Sequence, residues 1–378
     1  MKKYIMVIFA TLILSVSCLG QVVISGKILD SKNNQPLIGA SIHIENTDIR
    51  TISNDEGDFE IKTYSLPVTL IISHVGYKKE RKVIYKADYI TIPLSQESID
   101  LAEVRVENSA ISIINSMVEK SLSLTSDKQF YRAFYRRISS NNGDVRRIQE
   151  MFTNVSWNIE GIDEWQPINI RYAEVNPLPS SNSYILTFVN SAVVHKYDYF
   201  PINSIDLSKK YEFKIKTYIN IGTDDEIAII VFKSFDLKGS GELYINTKKD
   251  RLLKIKGLQK AVLHGRFKKS YSFEANFREN SKGQTVFDNI FVTVTTGRTL
   301  DLRKAKEQLW LYFEKEIMGF EKHSQIYPSF LKSDQKILQS VPYNATYWEE
   351  NIPFPTTDNI KKIIEKMEQS DKFTSNFN

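Results

Sequence analysis

The fold of the N-terminal part of this chain is decided between residues 22 and 106, where the sequence includes the runs Ser25-Gly26-Lys27-Ile28-Leu29-Asp30, Asn54-Asp55-Glu56-Gly57-Asp58-Phe59-Glu60-Ile61 and His74-Val75-Gly76-Tyr77. Apolar and polar residues alternate there, and Asn, Asp, Gly or Pro interrupt them roughly every 8–12 residues, a spacing typical of a β-sandwich. Because alternate side chains of a strand share a face, Ile42 and Ile44 are expected in the core. The stretch therefore predicts a small β-sandwich.

This order of features resembles the carboxypeptidase regulatory-like (transthyretin-like) domain, which occurs in many envelope proteins of Bacteroidetes-type bacteria. The residues that carry the resemblance are Gly26, Asp30, Pro36, Leu37, Gly39, Ala40, Gly57, Phe59, Ile61, Val75, Gly76 and Tyr77. The tail Leu101–Val106 is similar to the end of such domains in TonB-dependent receptors. The resemblance implies a seven-stranded sandwich with no catalysis of its own. A whole receptor is excluded, because the rest of the chain is too short for a plug and barrel.

Residues 1–20 have the pattern of a secretory signal peptide: a basic start, an apolar run from Tyr4 to Val16, and small residues near Gly20. The expected location is therefore the periplasm or the outer membrane. Lipidation at Cys18, in a lipobox-like Ser15-Val16-Ser17-Cys18, is an alternative anchor. Cys18 is the only cysteine, so cleavage after it would leave no disulfide and no thiol chemistry.

Charge and hydropathy exclude two further classes of protein. The formal net charge of the whole chain is +5, with no basic run or stripe, so nucleic acid is not an expected partner. After the signal peptide, no stretch is apolar over about 18 residues, the length of a membrane-spanning helix. A chain of this length suffices for two or three domains.

The segment that follows predicts one helix and then a large sheet. Apolar residues recur at helical spacing from Ser109 to Leu124, which indicates a linker helix that packs on a sheet. From Phe130 to about Ile317 long strand patterns follow, with a hairpin signal at Asn141-Asn142-Gly143 and one strand expected over Val262–Phe277. Most of these strands are polar on one face. The simplest interpretation is a single curved antiparallel sheet.

The pattern Gly241–Thr247 followed by Leu252–Ile255 is similar to strands of periplasmic half-barrel carriers of the lipoprotein-carrier type. The resemblance implies an unclosed sheet around a helix, with an apolar concavity for acyl chains. Residues 343–354 are aromatic and have no regular pattern, whereas Thr356-Thr357-Asp358 predicts the start of a helix that carries Ile360 and Met367. That helix either folds back onto the sheet or docks on a partner.

The predicted fold class is mainly β. We expect a signal peptide over 1–20, the seven-stranded sandwich over 22–106 and a linker helix over 107–128. Next comes a large curved, half-barrel-like antiparallel β domain over 129–318. An irregular segment with a helix is expected over 319–378.

No catalytic motif is present. His43, His74, His195, His264 and His323 lie outside any zinc-ligand spacing, and no G-x-S-x-G elbow or phosphate-binding glycine loop occurs. The adjacent carboxylates Asp163-Glu164 and Asp224-Asp225 are expected in turns. No metal, cofactor or catalytic residue is therefore predicted, and the protein is expected not to be an enzyme.

Clusters of aromatic residues are the remaining candidate for a binding site. Aromatic residues make up 12 % of the chain, and clusters in loops at the rim of a sheet can close an apolar cavity or stack on sugars. The candidate binding residues are Trp157, Trp165, Tyr172, Tyr197, Tyr199 and Phe200. Core packing is the alternative role for the same side chains.

The sequence predicts a non-enzymatic binding or scaffold protein whose second domain holds a lipid-like ligand or a partner protein. Two alternatives remain open. One is a structural module that docks on an outer-membrane complex, through an exposed apolar face on the last helix. The other is a hydrolase, which would require His195 or His264 to meet two carboxylates in the folded chain.

Overall fold

A computed structural model describes residues 21–97, 99–100, 109–122, 128–158, 161–174, 210–236, 239–263, 267–280, 282–298, 301–328, 341 and 343–369. The predicted signal peptide, Cys18, His195 and the aromatic cluster Tyr197, Tyr199 and Phe200 lie outside these residues. In the part that is described, no helix is long and apolar enough to cross a membrane. Strands dominate, as the sequence predicts.

Seven strands form the N-terminal sandwich, which confirms the predicted fold of this part. They are β1 Val22–Asp30, β2 Ser41–Ile44, β3 Arg50–Ile52, β4 Asp58–Thr63, β5 Val68–Ser73, β6 Glu80–Ile84 and β7 Ile90–Leu94. One sheet has the order β4-β1-β7 and the other β3-β2-β5-β6. Alternation places Ile24 and Ile28 of β1 and Ile42 and Ile44 of β2 in the core between the sheets.

The connection that contains His74 is fixed to the sandwich through Asp30. Asp30 Oδ2 accepts hydrogen bonds from the Tyr77 hydroxyl at 2.8 Å and from Gln96 Nε2 at 2.7 Å, while Oδ1 accepts from the Lys32 amide. Burial would raise the pKa of the Asp30 carboxyl, but these donors outweigh it and lower the pKa. Because Tyr77 is held at this point, the loop from His74 projects from the sandwich in a defined position.

The other strands form one open antiparallel sheet of 12 strands, with the order β19-β11-β10-β9-β18-β17-β16-β15-β14-β13-β12-β8. Their bounds are β8 Ile99–Asp100, β9 Gln129–Asn141, β10 Asp144–Asn158, β11 Gly161–Glu174, β12 Tyr211–Ile219, β13 Ile227–Ser234, β14 Gly239–Asn246, β15 Arg251–Leu263, β16 Phe267–Glu279, β17 Thr285–Arg298, β18 Asp301–Glu316 and β19 Tyr327–Pro328. The sheet does not close, since β19 and β8 lie at opposite edges.

Helix α1, Ala110–Leu122, packs on one face of this sheet, which we call the inner face. The buried side of the helix carries Ile113, Ile114, Met117 and Val118, which belong to the same core cluster as residues of β9 to β18. This packing is the one predicted from the helical spacing. The sheet is thus curved and carries a helix on its inner face.

The sandwich and the C-terminal segment both pack on the opposite, outer face. Helix α2, Ala345–Asn351, and helix α3, Asp358–Gln369, place Trp348, Phe354, Ile360 and Ile364 in a core with side chains of β9, β10, β11 and β18. Ile52 of the sandwich joins the same core, and Val75 packs beside Tyr244 further along the sheet. Protein therefore covers the outer face at β9, β10, β11 and β18 and around Tyr244.

Three local predictions differ from the structure. The strand expected over Val262–Phe277 is divided between β15 and β16, which pair as neighbours. Asp163-Glu164 lies within β11 instead of a turn, because the chain reverses before Gly161. The segment expected to be irregular contains α2, whose Asn344 side chain caps the helix by accepting a hydrogen bond from the Tyr347 amide. The predicted start of α3 at Thr357 and Asp358 is confirmed.

Candidate functional site

A cavity of about 480 Å³ opens on the inner face, at the end of the sheet where β13 turns into β14. Its apolar lining comes from Tyr211, Phe232 and Phe273, which also belong to the core around α1, and from Phe235 and Leu258. Other apolar side chains of the inner face are only partly buried: Phe213, Ile215, Tyr271 and Val292. Accessible apolar surface in a concave site is the usual setting for an apolar ligand.

Two glycines set the position of the aromatic rings in this cavity. Gly241 pairs with Phe232 and with Gly257, which in turn pairs with Phe273. A Cβ atom at Gly241 would lie 2.6 Å from the Phe232 ring, and one at Gly257 would lie 2.6 Å from the Phe273 ring. The rings therefore lie over the glycines, in the manner of aromatic residues that cover cross-strand glycines.

The rim of the cavity is polar. Ser234 Oγ donates to Asp236 Oδ1 at 2.7 Å and accepts from the Gly239 amide at 2.7 Å, which fixes the β13–β14 connection. Gln259 lines the same rim, and Phe235 is 59 % exposed beside it. The cavity thus combines an apolar floor with a polar edge, an arrangement that suits an amphiphile.

The outer face carries a second, polar site, which we call the outer groove. It consists of a chamber of about 800 Å³ over β12 to β17 and a chamber of about 440 Å³ beneath the sandwich loop that contains His74. Both chambers are lined by Glu242, Lys256 and Glu274, so they adjoin. The groove lies on the face of β14 and β15 opposite to α1.

Glu242 is the centre of one charged network in the outer groove. It accepts hydrogen bonds from Lys216 Nζ at 2.7 Å and the Tyr244 hydroxyl at 2.9 Å, and Lys256 Nζ lies at 2.9 Å. Burial would raise the pKa of the Glu242 carboxyl, but these donors outweigh it and lower the pKa to about 2. Burial and the neighbouring carboxylate raise the pKa of the Tyr244 hydroxyl. Glu242 is thus ionised at neutral pH.

His74, Glu274 and Lys254 form a second network in the groove. His74 Nε2 lies 3.7 Å from Glu274 Oε1, and Lys254 Nζ forms an ion pair with the same oxygen. Burial would raise the pKa of the Glu274 carboxyl, but Lys254 and His74 lower it to about 2. Burial lowers the pKa of His74, and the charge of Lys254 lowers it further, so the imidazole is neutral at neutral pH. Burial also lowers the pKa of Lys254, although Glu274 opposes this.

This arrangement does not match a nucleophilic triad. The His74 imidazole contacts the Glu274 carboxylate, which is also ion-paired with Lys254, whereas an activated serine requires the imidazole next to a hydroxyl. The hydrolase alternative depended on His195 and His264, which lie outside the described residues. Within the described ranges, no cluster of three or more His, Cys, Asp or Glu side chains is arranged to hold a metal ion.

The candidate aromatic residues that the structure describes lie in strands instead of loops. Trp157 of β10 and Trp165 of β11 are 1 % and 0 % exposed and belong to the core around α1. Tyr172 of β11 is also buried. These three side chains pack in the core, and Tyr197, Tyr199 and Phe200 are outside the described residues. A binding role for this set stays a prediction.

Sequence reasoning missed the residues of both sites described here. Phe232 and Phe273 were not singled out, although a cross-strand Gly–Phe pattern is visible once the register is known. His74 and Glu274 are far apart in the chain, and nothing in the local sequence connects them.

Comparison with known proteins identifies the N-terminal part. Residues 24–106 match the model of the CarboxypepD_reg-like domain, which confirms the resemblance expected from the sequence. No curated protein matches the chain significantly.

Two solved structures are similar to the chain at low levels. A LolA superfamily protein from Nitrosomonas europaea is 12% identical, with 55% of this chain and 94% of that chain covered and a TM-score of 0.23. A protein of unknown function from Bacteroides ovatus is 8% identical, with 82% and 84% covered and a TM-score of 0.10. Neither superposition is close enough to carry an argument about function.

Proposed function

We propose that this protein is a non-catalytic, exported envelope protein that binds a hydrophobic or amphiphilic ligand on the inner face of its large sheet. The observation that carries the proposal is the cavity of about 480 Å³ floored by Tyr211, Phe232 and Phe273. Because α1 leaves Phe213 and Ile215 only partly buried, apolar surface remains for a ligand beside the helix. Burial of such surface is the main source of affinity for an apolar ligand.

The N-terminal domain supports an envelope location and a role without chemistry of its own. It matches the CarboxypepD_reg-like domain, and its His74 contacts the Glu274 carboxylate, which is ion-paired with Lys254, instead of a nucleophile. Export through residues 1–20 is part of the proposal.

Docking on a partner through the last helix is less well supported. That hypothesis requires an exposed apolar face on α3, but Ile360 and Ile364 are each 7 % exposed and pack against the sheet. The α3 helix therefore folds back onto its own chain.

A blocked cavity provides the test. The backbone of Gly239 accepts a side chain, since a Cβ atom there would be 3.5 Å from Ser234 Oγ and 3.9 Å from the Tyr211 ring. Gly239→Leu would therefore project into the cavity with ordinary contacts. Gly297→Leu is the matched control, because a Cβ atom at Gly297 meets nothing within 4 Å.

The measurement is native mass spectrometry of the purified full chain before and after organic extraction, together with binding of a fluorescent long-chain fatty acid. We expect a lipid adduct and saturable probe binding for wild type and Gly297→Leu, and at least a tenfold loss of probe affinity for Gly239→Leu. A bare polypeptide mass with no probe binding, or equal binding by all three proteins, would overturn the proposal.

A further inference from the structure

The outer groove extends over the face of the sheet opposite to α1 and meets the proposed ligand cavity at the end of the sheet, where Phe232, Ser240, Leu258 and Phe273 line both. The proposal for the inner face does not use the rest of the groove. Its larger chamber has about 800 Å³ of space and runs over strands β12 to β17. Six neighbouring strands at roughly 4.8 Å spacing give a length of about 24 Å. This length suits an extended ligand of several units better than a single small molecule.

Charges in the larger chamber of the outer groove are balanced. The ionisable residues that line it are Glu212, Glu242, Glu274, Lys214, Lys233 and Lys256. Three carboxylates face three ammonium groups there, so this chamber has no formal net charge with which to attract an ion, and the smaller chamber adds Lys216, Lys254 and Glu97. Glu242 and Glu274 stay ionised at neutral pH and disfavour acidic ligands, while the lysines disfavour cations.

Hydrogen-bond donors and acceptors lie next to each other in the groove. Glu242 is an acceptor that contacts Lys216 and Lys256, and each ammonium group carries three donors, only some of which this contact uses. The ammonium groups remain 55 % and 43 % exposed at the side-chain level. A pair of adjacent hydroxyls, each both donor and acceptor, can bridge such a carboxylate–ammonium pair.

The larger chamber also has an apolar part between these charged pairs. Leu258, 39 % exposed, lines it together with Val231 and Phe291. Sugar rings have this dual character, since hydroxyls surround the ring and C–H groups cover its faces. Hydrogen bonds to charged groups are among the stronger ones available to such a neutral ligand.

We propose that the outer groove binds a neutral oligosaccharide, with Lys216, Glu242 and Lys256 contacting its hydroxyls and Leu258 and Phe291 contacting its ring faces. The sandwich loop at His74 and Tyr77 closes one end of the groove. The sandwich therefore completes the site.

The test begins with the full chain on an array of neutral gluco-, manno-, galacto- and xylo-oligosaccharides of four to six units. Uronic-acid-containing and sulfated oligosaccharides and unstructured peptides are printed beside them. We expect binding to at least one neutral series, and calorimetric titration with its best member should give a Kd that changes less than twofold between 50 and 500 mM NaCl. A neutral ligand releases few counterions, so its affinity depends little on salt.

Variants then locate the site. Lys256→Ala and Leu258→Ala change partly exposed side chains, and we expect each to weaken binding at least tenfold with an unchanged melting temperature. Lys86→Ala, in an exposed ion pair of the sandwich, is the matched control. Leu258 lines both sites, whereas Lys256 lines the groove and not the inner cavity. Lys256→Ala should therefore leave fatty-acid binding unchanged and Gly239→Leu should retain sugar binding, which separates this site from the inner cavity.

Several results would overturn the proposal. Binding only to acidic sugars or to peptides, or to nothing on the array, contradicts the ligand class. Equal oligosaccharide affinity of wild type, Lys256→Ala and Leu258→Ala contradicts the proposed location of the binding site. Loss of oligosaccharide binding in Gly239→Leu alone would place the sugar in the inner cavity instead.

Discussion

A buried ion triad between the sheet and the C-terminal segment gives the sharpest prediction about stability. Arg136 Nε donates to Glu150 Oε1 at 2.5 Å, and Arg171 Nε donates to Glu150 Oε2. Glu150 is 0 % exposed and each arginine is 2 % exposed. Burial would raise the pKa of the Glu150 carboxyl, but the two guanidinium groups outweigh it and lower the pKa. The carboxylate is therefore charged and fully enclosed.

Replacement of Glu150 by Gln keeps the shape of the side chain and removes its charge. Breaking a buried pair costs about 3–5 kcal/mol, because the remaining partner is left as an uncompensated charge. Here two guanidinium groups would be left under the aromatic rings of the C-terminal segment. We expect Glu150→Gln to lower the free energy of unfolding by about 3–5 kcal/mol.

The assay is urea unfolding followed by tryptophan fluorescence. The Arg171 guanidinium lies 4.5 Å from the centre of the Trp348 ring, so the signal reports on this region. Glu45→Gln is the control, because its partner Arg81 is 66 % exposed and surface pairs contribute little. A loss for Glu150→Gln no larger than that for Glu45→Gln would refute the reasoning.

A second variant distinguishes loss of charge from loss of packing. Replacement of the whole triad by apolar residues of similar volume, as Arg136→Met, Glu150→Leu and Arg171→Met together, leaves no buried charge. Such replacements are often neutral or stabilising. We therefore expect the triple variant to be more stable than Glu150→Gln alone, and the opposite order would contradict the electrostatic explanation.

Three further predictions follow from single sites. Gly241→Ala would place a methyl group 2.1 Å from a carbonyl oxygen of the neighbouring strand. We expect the free energy of unfolding, measured in urea, to fall by at least about 1–3 kcal/mol. Gly297→Ala, whose methyl group would meet nothing within 4 Å, should leave it almost unchanged. Phe354→Ala removes a ring that is 1 % exposed and should cost about 3–5 kcal/mol, measured by thermal and urea unfolding. The pKa values of Glu242 and Glu274 are lowered to about 2 in the fold from 4.5, so their stabilisation is complete above about pH 4.5 and is lost as the pH falls towards 2. Between pH 5 and pH 2, the free energy of unfolding should therefore depend less on pH in the Glu242→Gln, Glu274→Gln double variant than in wild type.

The sandwich and the helices could be predicted because their signals are local. Alternating side chains define β1 and β2, and turn residues such as Gly57 mark where strands end. A Cβ atom at Gly57, which has a positive φ, would lie 2.6 Å from the Ile28 carbonyl oxygen, so glycine is required there. The helix cap at Thr357 is likewise contained within a few residues of sequence.

The aromatic candidates show the limit of local reasoning. Trp157 and Trp165 are candidate rim residues in the sequence because they lie close to each other and to Tyr172. In the fold, β10 is buried on both faces, since one face belongs to the core on the inner side of the sheet and the C-terminal segment covers the other. Polar residues such as Gln149 and Ser156 are therefore buried as well, and the sequence pattern alone gives no sign of this.

The sequence by itself determined the sandwich, the large antiparallel sheet and the helix that packs on it, because each follows from the period of apolar residues and the chemistry of turns. Tertiary structure alone decided which side chains meet. His74 joins Glu274 and Lys254, and Glu150 joins Arg136 and Arg171, through strand register and through docking of the sandwich and the C-terminal segment on the outer face. Register and docking depend on contacts between distant residues, whose free energy a local pattern does not contain.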